Sequence, residues 1–185
     1  MGILAQLQSL LHPSLFRPDS SEKPLAKTSL ADEVYHRQPR VKARTGTRVL
    51  IIDGSRTVLV VLRKFLRSAG YETFEAANAE TALALLPVQR PDLIFLDISL
   101  PGMNGFAALR AIRCDPATRD IPVIMMSGNE EAMEQFFGSR IDADSFVKKP
   151  FSCQEVFFSI ERLLDNDRIP RRTTTRCLLA QPEAA

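Results

Sequence analysis

Pro91-Asp-Leu-Ile-Phe-Leu-Asp97-Ile-Ser-Leu-Pro101-Gly-Met-Asn-Gly105 is the stretch on which the fold turns. Its apolar run Leu93–Leu96 is short and shows no polar alternation, the pattern of a strand buried on both faces. Outward from it lie four more short runs, Val49–Ile52, Tyr71–Glu75, Val123–Met126 and Ser145–Val147. Helical patterns alternate with them: Thr57–Ala69 closed by Gly70, Ala79–Leu86 stopped by Pro87, Gly105–Arg113, Glu130–Phe137, and Ser152–Leu164. Ser152 suits an N-cap, and Glu155 three residues on completes a capping box. Strands alternating with helices predict one α/β unit, a parallel sheet covered on both faces. In such sheets the ligand site lies outside the carboxyl ends of the strands, so the residues that end each strand carry the functional information.

The first strand ends in Asp53, the third in Asp97 and the fourth in Ser127, and the fifth runs into Lys148-Lys149-Pro150-Phe151. Four segments, Val49-Leu-Ile-Ile-Asp53-Gly-Ser55, the stretch quoted above, Pro122-Val-Ile-Met-Met-Ser127-Gly and Phe146-Val-Lys-Lys149-Pro150-Phe151, follow in family order and spacing. Together they resemble the receiver domain of response regulators over residues 48–164. Any one motif alone is weak; four in register at successive strand ends are not. The resemblance implies a flavodoxin-like, doubly wound five-stranded parallel sheet in the order 2-1-3-4-5 with five helices, here with extended termini. The segment Gly138-Ser-Arg-Ile141 and the Met-Ser ending of the fourth strand look most like receivers of the twitching-motility type, within the CheY-like chemosensory group.

The resemblance makes Asp97 the acceptor of a phosphoryl group from a histidine kinase. A carboxylate attacking an anionic phosphoryl group needs a cation to neutralise charge, and magnesium prefers oxygen ligands. The family's ligand positions map to Asp53, Asp97 and the backbone carbonyl of Ser99. Lys149 would bring its ammonium to the phosphoryl oxygens, with a cis Lys149–Pro150 peptide. Ser127 stands at the switch hydroxyl and Phe146 at the switch aromatic, which together turn local charge into a changed surface. Lys148 reads as a solvated neighbour.

Two positions depart from the family pattern. Gly54 replaces the second of two adjacent acidic residues, which removes a carboxylate from the metal site and implies weaker magnesium binding. Arg56, two residues on, reads as solvent-facing more readily than as a substitute cation. Asp142 stands where a Gly commonly follows the fourth helix; Asp tolerates a left-handed backbone better than most residues.

The chain of 185 residues has a formal net charge of +2. Residues 1–47 carry seven Lys/Arg against four Asp/Glu, and residues 165–185 carry four against three, so a mildly acidic centre sits between basic ends. Residues 1–16, with Ile3, Leu4, Leu7, Leu10 and Leu11 at helical spacing, predict a short amphipathic helix; 17–47 read as a flexible linker and 165–185 as a flexible basic tail. Cys114, Cys153 and Cys177 form no C-x-x-C pair, which argues against a zinc site or a disulfide framework and for a reducing, cytoplasmic compartment. No apolar run approaches a membrane span, and no secretory signal is evident.

The expected partners are proteins. In the family, the face made by the fourth helix, fifth strand and fifth helix docks the downstream effector, and the pairs Phe136-Phe137 and Phe157-Phe158 lie there. The N-terminal helix, without Lys or Arg in its first sixteen residues, suits a second protein contact better than a membrane. Direct DNA binding is not expected, because a tail of this length cannot form a helix-turn-helix module. Two functions of different class remain: a phosphoryl-accepting switch, favoured by Asp53, Asp97, Ser127 and Lys149, and a phosphorylation-independent binding module, favoured by Gly54. A small α/β enzyme would need a Gly-rich phosphate loop or a second catalytic group, and neither is found.

Overall fold

The computed structural model describes residues 42–131, 134, 136 and 142–172. The elements follow as β1 (Arg48–Ile52), α1 (Arg56–Ser68), β2 (Glu72–Ala76), α2 (Ala79–Gln89), β3 (Leu93–Asp97), α3 (Gly105–Cys114), β4 (Val123–Ser127), β5 (Ser145–Lys148) and α4 (Cys153–Glu161). The helix expected over Glu130–Phe137 is described only at Glu130, Glu131, Glu134 and Phe136, all helical. Four helices are therefore bounded among the described residues, against five expected. The helix expected within residues 1–16 lies outside them.

All strand pairs are parallel and the order is β2-β1-β3-β4-β5. β3 and β4, and β1 after Arg48, are apolar up to their last residue because side chains alternate between two covered faces, whereas the edge strands β2 and β5 carry polar residues. Leu50, Ile52, Ile94, Leu96, Val123 and Met125 face one core with α2 and α3. Val49, Ile51, Leu93, Phe95, Ile124 and Met126 face the other, where Leu59, Leu62 and Leu66 of α1 meet Val156 and Ile160 of α4. Among the described residues no helix is long and apolar enough to cross a membrane.

Several boundaries differ from the expectation for identifiable reasons. Helix α2 runs through Pro87 to Gln89. A proline in the last turn forfeits its own donor, but the Arg90 amide, in left-handed conformation, still closes on the Leu86 carbonyl at 2.9 Å. β2 is shifted by one residue, because Tyr71 is drawn into the α1 core and its hydroxyl accepts from the Ala43 amide. α4 ends at Glu161 rather than Leu164, and Leu164 instead bridges to Pro170. The ends of the expected linker and tail are packed: Ala43 and Thr47 are buried, and the Arg44 amide donates to the Arg168 carbonyl at 3.1 Å.

The capping box at Ser152 is present. The Glu155 amide donates to Ser152 Oγ at 3.2 Å, and the Ser152 amide donates to Glu155 Oε2 at 2.7 Å. Ser152→Ala should cost about 1 kcal/mol in a denaturant titration, with an unchanged slope.

Candidate functional site

The register decides which groups meet. Ile52 of β1 lies opposite Leu96 of β3, so the next residue on each chain, Asp53 and Asp97, emerges at the same level of adjacent strands. Asp97 pairs with Met126 of β4, and Ser127 one step on pairs with Lys148 of β5, which delivers Ser127 and Lys149 to the same edge. The Lys149 amide donates to the Ser127 carbonyl at 2.8 Å, and the Lys149–Pro150 peptide is cis, as expected.

Lys149 joins the two carboxylates. Its Nζ stands 2.5 Å from Asp53 Oδ2 and 2.9 Å from Asp97 Oδ1. Asp53 is fully buried and Asp97 is 5% exposed, while the Lys149 side chain keeps 18% exposure and so closes the site from the solvent side. Asp53 Oδ1 accepts from the Ser55 amide at 2.8 Å, which fixes the turn into α1 and puts the carboxylate at that helix's positive end. Asp53 Oδ2 has the ammonium as ion-pair neighbour but accepts no well-aligned hydrogen bond. Burial pushes the Asp53 carboxyl up from its ordinary value, more than the Lys149 ammonium and the Ser55 amide pull it down.

Ser127 is buried, and its hydroxyl is engaged by the following loop: the Asn129 amide donates to Oγ at 3.0 Å. Phe146 is half-buried, with its ring 5.0 Å from that of Phe136. Ser99 and Arg56 are exposed. A Cβ built on Gly54 meets Pro101 Cδ at 3.3 Å and otherwise only the Ala77 carbonyl at 3.9 Å, so a side chain there needs a small shift of the proline. Asp53 and Asp97 are the carboxylates the structure brings together here; among the described residues no cluster of three His, Cys, Asp or Glu side chains forms a metal site.

The expected partner face is divided. Phe157 stacks on Tyr71, centroids 6.3 Å apart, and belongs to the core. Phe158 is 42% exposed, with the Arg162 guanidinium over its ring. Phe136 packs against the α2–α3 core, and Phe137 lies outside the described residues. One ring of the second pair, not both, faces solvent.

Two supports of the site escape sequence reasoning. A Cβ on Gly105 would stand 2.2 Å from the Asp97 carbonyl oxygen and 2.8 Å from Ile98 Cα, so α3 starts directly against the backbone of Asp97. Glu80 of α2 accepts from the Met103 amide at 3.1 Å and braces the loop that follows Asp97. Gly105 carried a signal as the last residue of the quoted stretch; Glu80, on a solvated helix start, carried none.

A model of the response regulator receiver domain matches residues 49–161, and the chain belongs to that family of signalling domains. The phosphate regulon transcriptional regulatory protein PhoB of Pseudomonas aeruginosa is 35% identical over 119 residues, 64% of this chain and 52% of PhoB. Protein PilH of the same organism is 32% identical over 117 residues, 63% of this chain and 97% of PilH. The chain spans about half the length of several such curated relatives. Among solved structures, chemotaxis protein CheY4 of Vibrio cholerae superposes with a TM-score of 0.60 at 28% identity, covering 65% of this chain and all of CheY4. The receiver domain of a sensor histidine kinase from Pseudomonas aeruginosa, which has a magnesium ion coordinated in its active-site cleft, gives 0.56 at 27% identity, with 60% of this chain and 92% of that one covered.

Two outcomes test this geometry. Gly105→Ala should destabilise the domain by about 3 kcal/mol or more in denaturant unfolding, because the colliding atoms are backbone and cannot rotate away. For Asp53, a carboxyl that binds its proton more tightly folded than unfolded removes stability as pH rises from the ordinary 3.8 through the raised value, and removes none below. The stability of Asp53→Asn relative to wild type should therefore grow as pH rises above the ordinary carboxylate value of 3.8. A flat or shrinking difference would show that burial does not raise the Asp53 carboxyl.

Proposed function

We propose that the chain is a phosphorylation switch in which Asp97 accepts a phosphoryl group from the phosphohistidine of a histidine kinase. The observation that carries this reading is the Lys149 ammonium set between Asp53 and Asp97 at the carboxyl ends of β1 and β3. Asp97 Oδ attacks phosphorus, the P–N bond of the phosphohistidine breaks, and the imidazole leaves with a proton. Lys149 then balances the new phosphoryl charge as it now balances the carboxylates. The buried Ser127 hydroxyl exchanges its loop partner Asn129 for a phosphoryl oxygen, and the half-buried Phe146 ring follows into the space released.

The residues fit a magnesium ion that Asp53, Asp97 and the Ser99 carbonyl would hold: two buried carboxylates side by side are oxygen ligands of the kind a hard cation takes, with Lys149 as their present counter-charge. That ion supplies charge neutralisation for the attack. With Gly54 in place of a third carboxylate, and with Lys149 already on both remaining ones, it binds more weakly here. Output passes through protein contacts on the face carrying Phe158 and β5 and through the N-terminal segment. The second reading, a constitutive binding module, is favoured by the same Gly54 and by an acid pair already bridged by Lys149.

Intact-mass analysis after incubation with a small phosphodonor and magnesium separates the two. The switch predicts slow modification of wild type, none of Asp97→Asn, and at least about a tenfold faster rate in Gly54→Asp, whose new carboxylate adds a hard ligand. No modification of wild type with recovery in Gly54→Asp would instead establish the binding module.

A further inference from the structure

Residues 163–172 do not behave as a tail. The Arg171 amide donates to the Leu163 carbonyl at 2.7 Å, the Asp165 amide donates to the Ile169 carbonyl at 3.0 Å, and Asp165 Oδ1 accepts from the amides of Asp167 and Ile169, each at 2.9 Å. This turn delivers Arg172 to a built site beneath the sheet, at the end opposite Asp97. Arg172 Nε lies 3.4 Å from Asp144 Oδ1, Nη1 donates to the Arg119 carbonyl at 3.2 Å, and Nη2 pairs with Asp142. The Asp144 side chain is out of contact with solvent and also binds Arg113 Nη2 and the Val123 amide, both at 2.8 Å. Arg113 is itself spent on the carbonyls of Ile121 and Asp142. The seat therefore takes a planar guanidinium through two carboxylates and a carbonyl.

Asp144 immediately precedes β5, and Lys149 immediately follows it. β5 is an edge strand that pairs only with β4, and of its four residues only Val147 is buried. Flanked by one strand, with Val147 in one core and the half-buried Phe146 against the other, it is also fixed at its ends: Asp144 in the Arg172 seat, and Lys149 on Asp53 and Asp97. The two anchors are about 17 Å apart along the strand, at about 3.3 Å per residue.

We propose that residues 163–172 are a latch, that Asp142, Asp144 and the Arg119 carbonyl form its guanidinium seat, and that the seat is coupled through β5 to Lys149 at the acceptor site. Whatever acts on the C-terminal residues then acts on Lys149, and a change in what Lys149 binds is felt at the latch, because coupling is reciprocal.

The test is amide hydrogen exchange of the whole chain, which needs no phosphoryl transfer and so stands apart from the acceptor role of Asp97. Three reporters are available: Arg171 on the latch, Asp144, whose amide donates to the Val123 carbonyl at the near end of β5, and Lys149, whose amide donates to the Ser127 carbonyl at the far end. In Arg172→Ala all three should exchange about tenfold faster, the loss of roughly one charge-assisted bond, while Ile94 in the sheet centre is unchanged. Asp142→Ala, which leaves Asp144 paired with Arg113, should give the same pattern more weakly. In Lys149→Met the effect should run back to Asp144 and Arg171. Acceleration confined to Arg171 and Asp144 overturns the coupling, and so does equal acceleration at Ile94 in both latch variants, which is general loosening.

Discussion

Two carboxylates at the ends of neighbouring parallel strands repel each other, and the domain tolerates them because one ammonium stands between them. Asp53 and Asp97 are brought level by the β1–β3 register, and neither can retreat, since the strands behind them are buried on both faces. Lys149 therefore compensates the cost of an acid pair out of water. That requirement passes backwards through the fold. Lys149 reaches the pair only because β5 lies beside β4 in register, with the Lys149 amide on the Ser127 carbonyl.

The same compensation explains how a site with Gly54 can persist. In an acid cluster one carboxylate larger, the added negative charge would favour a bound cation. Here the cluster holds two carboxylates against one ammonium, and the turn between β1 and α1 is already fixed by Asp53 on the Ser55 amide.

Much of this was legible in the sequence where residue type and position were both constrained. Uniformly apolar runs of strand length between amphipathic helices admit few arrangements, and polar residues at their carboxyl ends, Asp53, Asp97, Ser127 and Lys149, point to the site. What was not legible depended on partners distant in sequence. Phe157 and Phe158 are adjacent and identical in chemistry, yet Tyr71 takes one ring and leaves the other. Ala43 to Thr47 and Asp165 to Arg172 read as polar connections because their order comes from backbone bonds between them and from a buried carboxylate at Asp144, not from apolar periodicity. Pro87 misleads for a related reason: a helix stop signal is local, whereas α2 is held to Gln89 by packing of Leu86 in the core.

Gly105 shows how closely the acceptor is tied to the scaffold. The helix that covers one face of the sheet begins in contact with the backbone of the residue whose side chain forms the site, and its amide closes on the Ile98 carbonyl at 2.9 Å. The loop between them is held at both ends, by Asn104 capping α3 and by Glu80 on the Met103 amide. The backbone at Asp97 is thereby held, and in the proposed switch the response to new charge falls to the parts held less firmly. Those are the Ser127–Asn129 loop and the edge strand β5, which lie on the side of the sheet away from β1 and β2. A rigid Asp97 beside a loosely held edge is the mechanical arrangement the proposed switch requires, since a site that yielded everywhere would absorb the signal instead of transmitting it.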